Sequence, residues 1–342
     1  MRFLALTVPG VGPLLRDELS ERLGAAAVGE VENDGRADVV PFATGPVDPV
    51  EPRLAEDLLV EVGTGDAGAP LPRLTRQLWS GARYDAALPA IAPRLGRLGP
   101  RPGFRVVARL RDERSFRRTE LRDELARAVL RERPRWRPAD PAQVELWALQ
   151  TRPGRVRLGV RLTDDRLRRR AGRQVELPGA LRPAVAAALV RLAVGRPGRP
   201  VLDPCCGSGT ILREALASGR RAIGSDRSAA AVAAARANLP GGADLLVADV
   251  RGLPLAAASV GAVATNLPFG RRHPLDDPAG WLRLAFGELE RVVAPGGRIV
   301  VLSPRTPAFQ ATVLRPRGGR LALRLPIRLL GLEATIWAFT VP

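Results

Sequence analysis

The fold of this chain is decided by one stretch of its sequence, Val201-Leu202-Asp203-Pro204-Cys205-Cys206-Gly207-Ser208-Gly209-Thr210. The stretch begins as an apolar strand that ends in the carboxylate of Asp203. Two glycines follow, and they let the backbone approach a ligand closely before a helix predicted over residues 211–218. The N-terminus of that helix lies directly behind the turn. This pattern is typical of a site for a nucleotide-like ligand.

Strands and helices alternate around this turn in the C-terminal half of the chain. We expect strands at residues 201–203, 222–226, 244–249, 261–265 and 298–302, with helices between them. Regular alternation predicts an α/β fold with a doubly wound, mostly parallel sheet. Residues 321–330 and 333–341, which meet at Gly331, break the alternation and predict an antiparallel hairpin at one edge. The predicted sheet therefore has seven strands.

The glycine turn lacks the signature of dinucleotide binding. That fingerprint requires G-x-G-x-x-G, and Leu212 stands where the third glycine belongs. The pattern here is D-x-x-x-G-x-G, and two further acids, Asp226 and Asp249, end the next two strands. Acids at three consecutive strand ends line one side of the ligand crevice of a parallel sheet. Alternatively, these acids cap the following helices, as Ser208 and Thr210 also would.

Specific contacts to a nucleoside follow from the three acids. The carboxylate of Asp226 would accept from both ribose hydroxyls, and Asp249 would accept from an adenine amino group. The residues predicted to bind a cofactor are Asp203, Pro204, Cys206, Gly207, Ser208, Gly209, Asp226, Arg227, Asp249 and Val250.

A second motif, Asn266-Leu267-Pro268-Phe269-Gly270, follows the strand expected at residues 261–265. An exocyclic amine can be methylated when two acceptors take its N–H protons and turn its lone pair toward the methyl group. The side-chain oxygen of Asn266 and the backbone carbonyl of Leu267 supply two such acceptors. Pro268 stiffens the turn, and Phe269 offers a platform for a flipped base. We predict that residues 266–269 are catalytic; the alternative is a strand-end turn with a core phenylalanine.

The basic residues are unevenly distributed along the chain. The net charge is +18, and all 53 basic residues are arginine. Residues 1–93 hold 8 arginines and 14 acids, whereas residues 94–182 hold 25 arginines and 11 acids. A concentrated basic surface is typical of phosphate binding, so we expect a polyanionic partner. The alternative is a set of solvated helix faces with local ion pairs, as at Arg122-Asp123-Glu124.

Particular arginines are candidates for contacts with nucleic-acid phosphates. One group forms the centre of a polar linker, and another follows the acceptor motif. The residues predicted to bind RNA are Arg117, Arg118, Arg168, Arg169, Arg170, Arg271 and Arg272. His273 lies beside the last two, but amine methylation needs no base before attack because the proton leaves afterwards.

Metal and membrane functions are not expected. Cys205 and Cys206 are the only cysteines, and with a single histidine they cannot supply a usual zinc site. Adjacent cysteines are also too close for an ordinary disulfide. The first apolar run ends at Pro9-Gly10, too short for a signal-peptide core, and no transmembrane run is present. We expect a cytoplasmic protein with no metal and no membrane partner.

The glycine turn and the acceptor motif together resemble those of the THUMP-containing tRNA guanine-N2 methyltransferases. Further similarity lies in residues 115–121, 156–162, 168–172 and 178–183, so the resemblance covers nearly the whole chain. It implies a class I, Rossmann-like methyltransferase domain that uses S-adenosylmethionine. It also implies a preceding α+β module, ferredoxin-like plus THUMP, that grips the tRNA acceptor stem, and it favours a monomer. Asp226 would then take the ribose, Asp249 the adenine, and residues 266–269 the guanine.

The resemblance divides the chain into four regions. These are a ferredoxin-like part at 1–50, a THUMP-type RNA-binding domain at 51–163, a basic linker at 164–182 and the methyltransferase domain at 183–342. The net negative start and Cys205, in place of a large apolar residue, depart from the family pattern. Asn-Leu-Pro-Phe rather than Asp-Pro-Pro-Tyr favours guanosine 6 of the acceptor stem over guanosine 10.

Other substrates fit the same acceptor logic. Guanine N2 in ribosomal RNA, adenine in DNA and a protein glutamine all present a planar amine or amide. An alternative of another class is a THUMP RNA-binding protein without catalysis. The intact acids and glycines of the donor turn, together with Asn266, favour an enzyme.

Overall fold

The structure is a computed structural model that describes residues 1–45, 51–111, 116–163, 174–195, 197–268, 277–304, 309, 320–329 and 331–342. The chain divides into two compact units, Met1–Arg168 and Arg169–Pro342. Among the described helices, none is long and apolar enough to span a membrane.

The first unit mixes strands and helices. Its strands are β1 (Arg2–Thr7), β2 (Glu32–Asn33), β3 (Asp38–Ala43), β4 (Asp57–Asp66), β5 (Gly103–Arg109), β6 (Arg137–Pro138), β7 (Val144–Arg152) and β8 (Arg155–Arg161). Its helices are α1 (Gly12–Leu23), α2 (Leu71–Leu78), α3 (Gly81–Leu95) and α4 (Arg118–Glu132), with a 3₁₀ turn at Ala25–Ala27.

One sheet runs through this unit in the order β2-β3-β1-β4-β8-β7-β5-β6. β1 pairs antiparallel with both β3 and β4, and Leu4 lies opposite Leu59. These two side chains and the ring of Trp147 belong to one buried cluster that joins β1, β4 and β7. The β1–β4 pairing connects residues on both sides of position 50, and the region boundaries at 50 and 163 stay predictions.

A break in the helical backbone separates α2 from α3. α2 ends at Leu78, Trp79 has an extended backbone (φ −105°, ψ 137°), and α3 begins at Gly81. The break lets the rings of Trp79 and Tyr84 pack together in the core, with their centroids 5.9 Å apart. Apolar spacing could not reveal the break because the pattern continues across both helices.

Acids from the first 93 residues pair with arginines that follow in the same unit. Nη2 of Arg157 lies 2.9 Å from a carboxylate oxygen of Glu32, and Nη1 of the same guanidinium lies 3.1 Å from Glu61. Burial opposes ionisation of Glu32, but hydrogen bonds and charges from arginines hold its pKa below the ordinary value. Further pairs of this kind are Asp34–Arg109, Glu51–Arg94, Asp57–Arg161 and Asp85–Arg133. The acidic start of the sequence therefore neutralises part of its basic middle.

The second unit alternates strand and helix. Its strands are β9 (Val201–Asp203), β10 (Ala222–Asp226), β11 (Asp244–Val247), β12 (Val260–Asn266), β13 (Val293–Pro304), β14 (Arg320–Leu329) and β15 (Leu332–Thr340). Its helices are α5 (Pro183–Leu192), α6 (Thr210–Ala217), α7 (Ala229–Asn238) and α8 (Pro278–Val292).

The sheet of this unit has the order β11-β10-β9-β12-β13-β15-β14. The first five of these strands run parallel, and β15 is antiparallel to both of its neighbours. The predicted seven-stranded, mostly parallel sheet with a C-terminal hairpin is confirmed. β9 lies next to β12, although the chain leaves β9 toward β10 on the opposite side. Such a switch point opens a crevice at the carboxyl ends of the strands.

The core beneath this crevice is built from the apolar stripe of α8 and the central strands. Leu282, Ala285, Leu289 and Val292 recur at helical spacing and are all buried. They belong to a cluster that includes Val263 of β12 and neighbouring strand residues. This packing fixes the strand ends that carry the site.

Candidate active site

The glycine turn connects β9 to α6 through a left-handed backbone. Gly207 and Gly209 have φ values of +52° and +85°, which favour glycine. A Cβ at Gly209 would also lie only 2.8 Å from the side chain of Leu239. The turn is held by the N–H of Cys206, which donates to the carbonyl of Ser225 at 2.9 Å. Both glycines are therefore required by geometry.

The alternative that Asp203, Ser208, Thr210 or Asp226 is the N-cap of the next helix is wrong for α6 and α7. The N-cap of α6 is Gly209, which has no side chain, rather than Ser208 or Thr210. The N-cap of α7 is Ser228, whose side chain accepts from the N–H of Ala231. Asp226, at the end of β10, is therefore not the N-cap of α7, although its Oδ1 accepts from the N–H of the N-cap residue Ser228 at 2.9 Å.

Asp203 is the buried acid of the site. It is 1% exposed, and its Oδ1 accepts from the hydroxyl of Thr265 at 2.8 Å and from the N–H of Cys205 at 3.2 Å. Burial raises the pKa of Asp203 to about 7; these hydrogen bonds oppose the shift, whereas the charge of Asp226 adds to it. The Thr265 contact ties the end of β12 to the turn after β9.

Asp226 ends β10 and faces the glycine turn. Its Oδ2 accepts from the N–H of Gly207 at 3.0 Å, and its Oδ1 accepts from the N–H of Ser228 at 2.9 Å. A carboxylate has about four lone-pair directions, so each oxygen keeps capacity for a further donor.

Asp249 lies after β11 and is paired with Arg251. Its Oδ2 accepts from Nη2 of Arg251 at 2.8 Å, and its Oδ1 accepts from Nε at 3.0 Å. The hydrogen bond from Arg251 lowers the pKa of Asp249. The acid is therefore ionised and already oriented by a neighbouring cation.

A cavity of about 890 Å³ opens over these strand ends. It is lined by nine of the ten residues predicted to bind a cofactor; the tenth, Gly209, lies behind the turn against Leu239. Asn266, Leu267 and Pro268 line the same cavity. Donor turn and acceptor motif, more than fifty residues apart in sequence, thus share one space.

The acceptor motif begins on a rigid strand. Asn266 is the last residue of β12 and pairs with Leu302 of β13. Leu267 follows and is 2% exposed, so its burial anchors the backbone at this position. Phe269, Arg271, Arg272 and His273 lie outside the described residues, as do Arg168, Arg169 and Arg170. Arg117 and Arg118 are exposed around the start of α4 in the first unit.

The thiols beside the turn are poor nucleophiles. Burial raises the pKa of Cys205 and of Cys206, and the charges of Asp203 and Asp226 add to the effect. Both cysteines line the cavity as neutral, apolar groups. No group of three potential metal-ligating side chains occurs in the described part of the chain.

Sequence reasoning missed one wall of the cavity and the residue that holds it. Residues 177–181, assigned to the linker, line the cavity. The buried amide of Asn238 accepts from the N–H groups of Gln174 (2.8 Å) and Val175 (2.9 Å). The same amide donates to the carbonyls of Val175 at 2.8 Å and Ser208 at 2.9 Å. Its partners are backbone groups distant in sequence, so no motif signals the contact.

Three more residues that the sequence did not single out line the cavity from the C-terminal elements. Trp281 comes from the first turn of α8, and Leu332 and Glu333 begin β15. For Leu332 and Glu333 the sequence did offer a signal, because the hairpin turn predicted at Gly331 starts the second strand of the hairpin at the carboxyl edge of the sheet.

The fold and the site together define a class I S-adenosylmethionine-dependent methyltransferase. The strand order, the acid–glycine turn at the switch point and the Asp226 carboxylate with spare acceptor capacity all fit the donor's adenosyl group. Residues 170–317 match the UPF0020 family model, described as an RMKL-like methyltransferase domain.

Comparison with known proteins gives the family. The chain is 33% identical over 326 residues to the tRNA (guanine(6)-N2)-methyltransferase of Thermus thermophilus, covering 91% of both chains. The crystal structure of TrmN from Thermus thermophilus matches with a TM-score of 0.80 and 27% identity, covering 100% of this chain and 99% of TrmN. The chain belongs to the tRNA guanine-N2 methyltransferase family.

More distant matches share part of the sequence or the fold alone. The Bos taurus U6 snRNA (guanine-N(2))-methyltransferase THUMPD2 is 36% identical over 129 residues, which cover 36% of this chain and 25% of THUMPD2. The structure of SMU.472, solved in complex with SAH, shares the fold with a TM-score of 0.67 at 15% identity, covering 100% of this chain and 98% of SMU.472.

Proposed function

We propose that this enzyme transfers a methyl group from S-adenosylmethionine to N2 of guanosine 6 in the tRNA acceptor stem. The observation that carries the proposal is the position of Asn266 at the end of β12, in the same cavity as the donor turn. The named nucleotide of the Thermus thermophilus relative supports position 6. Position 10 is less favoured by the Asn-Leu-Pro-Phe motif.

The donor half of the site follows from the acids and the turn. When bound, S-adenosylmethionine supplies an electrophilic methyl group on a sulfonium. Asp226 accepts from the ribose hydroxyls, Asp249 accepts from the adenine amine, and Asp203 places negative charge near a cationic ligand. The remaining donor contacts come from Pro204, Cys206, Gly207, Ser208, Arg227 and Val250, which line the cavity.

The acceptor half prepares the guanine amine for attack. The side-chain oxygen of Asn266 and the carbonyl of Leu267 each accept one N2 hydrogen, which turns the nitrogen lone pair toward the methyl group. Pro268 restricts the turn, and Phe269 stacks on the base. No base is needed before attack, because N2 loses its proton only after the new bond has formed.

The first unit delivers the RNA in this proposal. Its candidate contacts are Arg117 and Arg118, joined by Arg168, Arg169 and Arg170 of the linker and by Arg271 and Arg272 beside the acceptor motif. We propose the ferredoxin-like and THUMP regions at 1–50 and 51–163 as the acceptor-stem module, and a monomer that acts on tRNA in the cytoplasm.

A second candidate substrate is a guanine N2 in another RNA. The match to THUMPD2, a U6 snRNA enzyme, favours this alternative over DNA or protein, because the reacting atom is the same. Product analysis separates the candidates, since each leaves its label in a different polymer.

The proposal is tested by incubating the purified chain with methyl-labelled donor and bulk tRNA and identifying the labelled nucleoside. We expect N2-methylguanosine. Asn266→Ala should bind donor as the wild type does but lose about a hundred-fold in turnover, because one acceptor of the N2 hydrogens is gone. Asn266→Asp, which keeps an acceptor oxygen, is the matched control and should retain more turnover. Label in DNA, protein or another RNA, with none in tRNA, would contradict the proposal.

A further inference from the structure

One large apolar side chain lies exposed at the edge of the cavity. Leu332, the first residue of β15, lines the cavity and is 70% exposed. Among the residues that the structure describes, six other large apolar side chains are exposed, and none of them is as exposed as Leu332 or lines the cavity. A single exposed leucine is ordinary on a protein surface. Its position beside the acceptor motif is what connects Leu332 with the substrate.

The sheet register places Leu332 beyond the acceptor residue. Asn266 of β12 pairs with Leu302 of β13, and Leu302 pairs with Ile336 of β15. Because β15 runs antiparallel to β13, Leu332 lies four residues further out over the carboxyl edge, about 13 Å of extended strand. The cavity opens at this edge, so the leucine projects outward past the row of Asn266.

The turn that carries Leu332 is apolar and follows a strand with exposed cations. Leu332 pairs with Leu329 across the turn, where Gly331 has a φ of +83°. Arg324 and Arg328 are exposed on β14, the strand that leads into the turn. Apolar side chains that insert between base steps, with cations that contact the neighbouring phosphates, are an established way for proteins to open nucleic-acid duplexes.

The proposed reaction requires the guanine to leave its base pair. Both N2 hydrogens must be accepted by Asn266 and Leu267, but a guanine paired with cytosine already donates one of them to its partner. The acceptor stem is a duplex, so the base has to be extruded, at the cost of its pairing and stacking. Extrusion also leaves a gap between the two neighbouring bases.

We propose that Leu332 inserts into the base stack of the acceptor stem and fills the gap left by the extruded guanine. This inference rests on the proposed function, because it concerns the delivery of the same guanine to Asn266. Insertion covers the exposed side chain with the faces of the neighbouring bases, which removes its apolar surface from water. The side chain therefore matters most where the guanine is held in a pair.

The test compares two tRNA transcripts, one with guanosine 6 paired to cytidine and one with that cytidine changed to adenosine. Leu332→Ala should lower kcat/KM about ten-fold on the paired transcript, because the alanine leaves most of the gap unfilled. On the mismatched transcript, whose guanine is cheaper to extrude, the loss should shrink to about two-fold. Leu332→Met keeps the apolar length and should retain most activity on both. Leu321→Ala, 44% exposed on β14 and outside the cavity lining, is the matched control and should behave as the wild type.

The outcomes separate this inference from the function on which it rests. A wild type that methylates guanosine 6 in neither transcript overturns both. Methylation of guanosine 6 with wild-type activity of Leu332→Ala on the paired transcript overturns the role of Leu332 alone. An equal loss on the two transcripts does the same, because the side chain would then act on something other than opening the pair. The affinity of each variant for S-adenosylhomocysteine confirms that the compared proteins are folded around the donor site.

Discussion

Among single residues, Asp203 stands out because its carboxylate is buried and its ionisation is unfavourable. It is 1% exposed and its surroundings raise its pKa to about 7, so ionisation near neutral pH costs free energy in the folded state. The Thr265 hydroxyl and the Cys205 N–H both donate to its Oδ1. A positively charged ligand in the cavity would favour the ionised form, which couples donor binding to pH.

Replacing Asp203 with asparagine should make the protein more stable at alkaline pH and weaken donor binding. The folded pKa is about 7 and the unfolded pKa about 4, so the wild type loses stability as pH rises through this window. The neutral amide still accepts from Thr265 and Cys205, and the variant should gain up to about 4 kcal/mol at pH 8, less below pH 7. Thermal unfolding at pH 5.5 and 8 measures this.

The control for that substitution is Asp244→Asn, an exposed acid on β11. It should leave both the pH profile of unfolding and the donor affinity unchanged. A wild-type pH profile in Asp203→Asn, or unchanged affinity for the donor, would contradict the assigned role of the buried charge.

The strand-end residues that line the cavity were predictable from the sequence, but their environments were not. Asp203, Asp226 and Asn266 stand at strand ends, and parallel strands bring their carboxyl ends to one edge. Thr265 lies 62 residues from Asp203 and meets it because β9 and β12 are neighbours. Strand order is a tertiary property, so this contact and the raised pKa could not be inferred from local pattern.

At the scale of elements, the end of α7 organises the donor side. Asn238 uses its whole amide, accepting two N–H groups and donating to two carbonyls, and it is 4% exposed. One partner, Ser208, belongs to the glycine turn, and the others precede the cavity wall at residues 177–181. The amide therefore fixes turn and wall in a single arrangement.

Asn238→Ala should weaken donor binding about ten-fold, because the turn and the wall lose their common anchor and leave backbone groups unpaired. Calorimetric titration with S-adenosylhomocysteine, below the unfolding temperature of the variant, measures the affinity. Hydrogen exchange of the Gln174 and Val175 amides should become faster in the same variant. Arg236→Ala, exposed on the same helix, is the control. Faster exchange with unchanged affinity would show that the anchor is structural only.

The sequence predicted helices and strands correctly where the apolar pattern of an element matches the face that it buries. The apolar stripe of α8 and the alternation around β9 to β13 predicted their elements, whereas the break at Trp79 was hidden by continuous apolar spacing. The sequence also did not single out Asn238, because a polar residue at the end of an alanine-rich helix is ordinary.

For the whole molecule, the net charge counted over a region of the sequence predicts the charge on the surface only in part. Several acids of the first 93 residues, among them Glu32 of β2, Asp57 of β4 and Asp85 of α3, pair with arginines of β8 or of the segment that follows α4. Arg157 is 8% exposed by its side chain and is not available to RNA. The net negative start is thus compatible with an RNA-binding unit, because its acids serve as internal partners.

Methylation of a single tRNA transcript that carries guanosine at both positions 6 and 10 tests whether the enzyme modifies guanosine 6. A second transcript exchanges nucleotide 6 with its pairing partner, so that the acceptor stem stays closed while the guanine moves to the other strand. With methyl-labelled donor, we expect one N2-methylguanosine at position 6 in the first transcript and loss of the label in the second. Label that persists in the second transcript, at position 10 or elsewhere, would contradict the assignment.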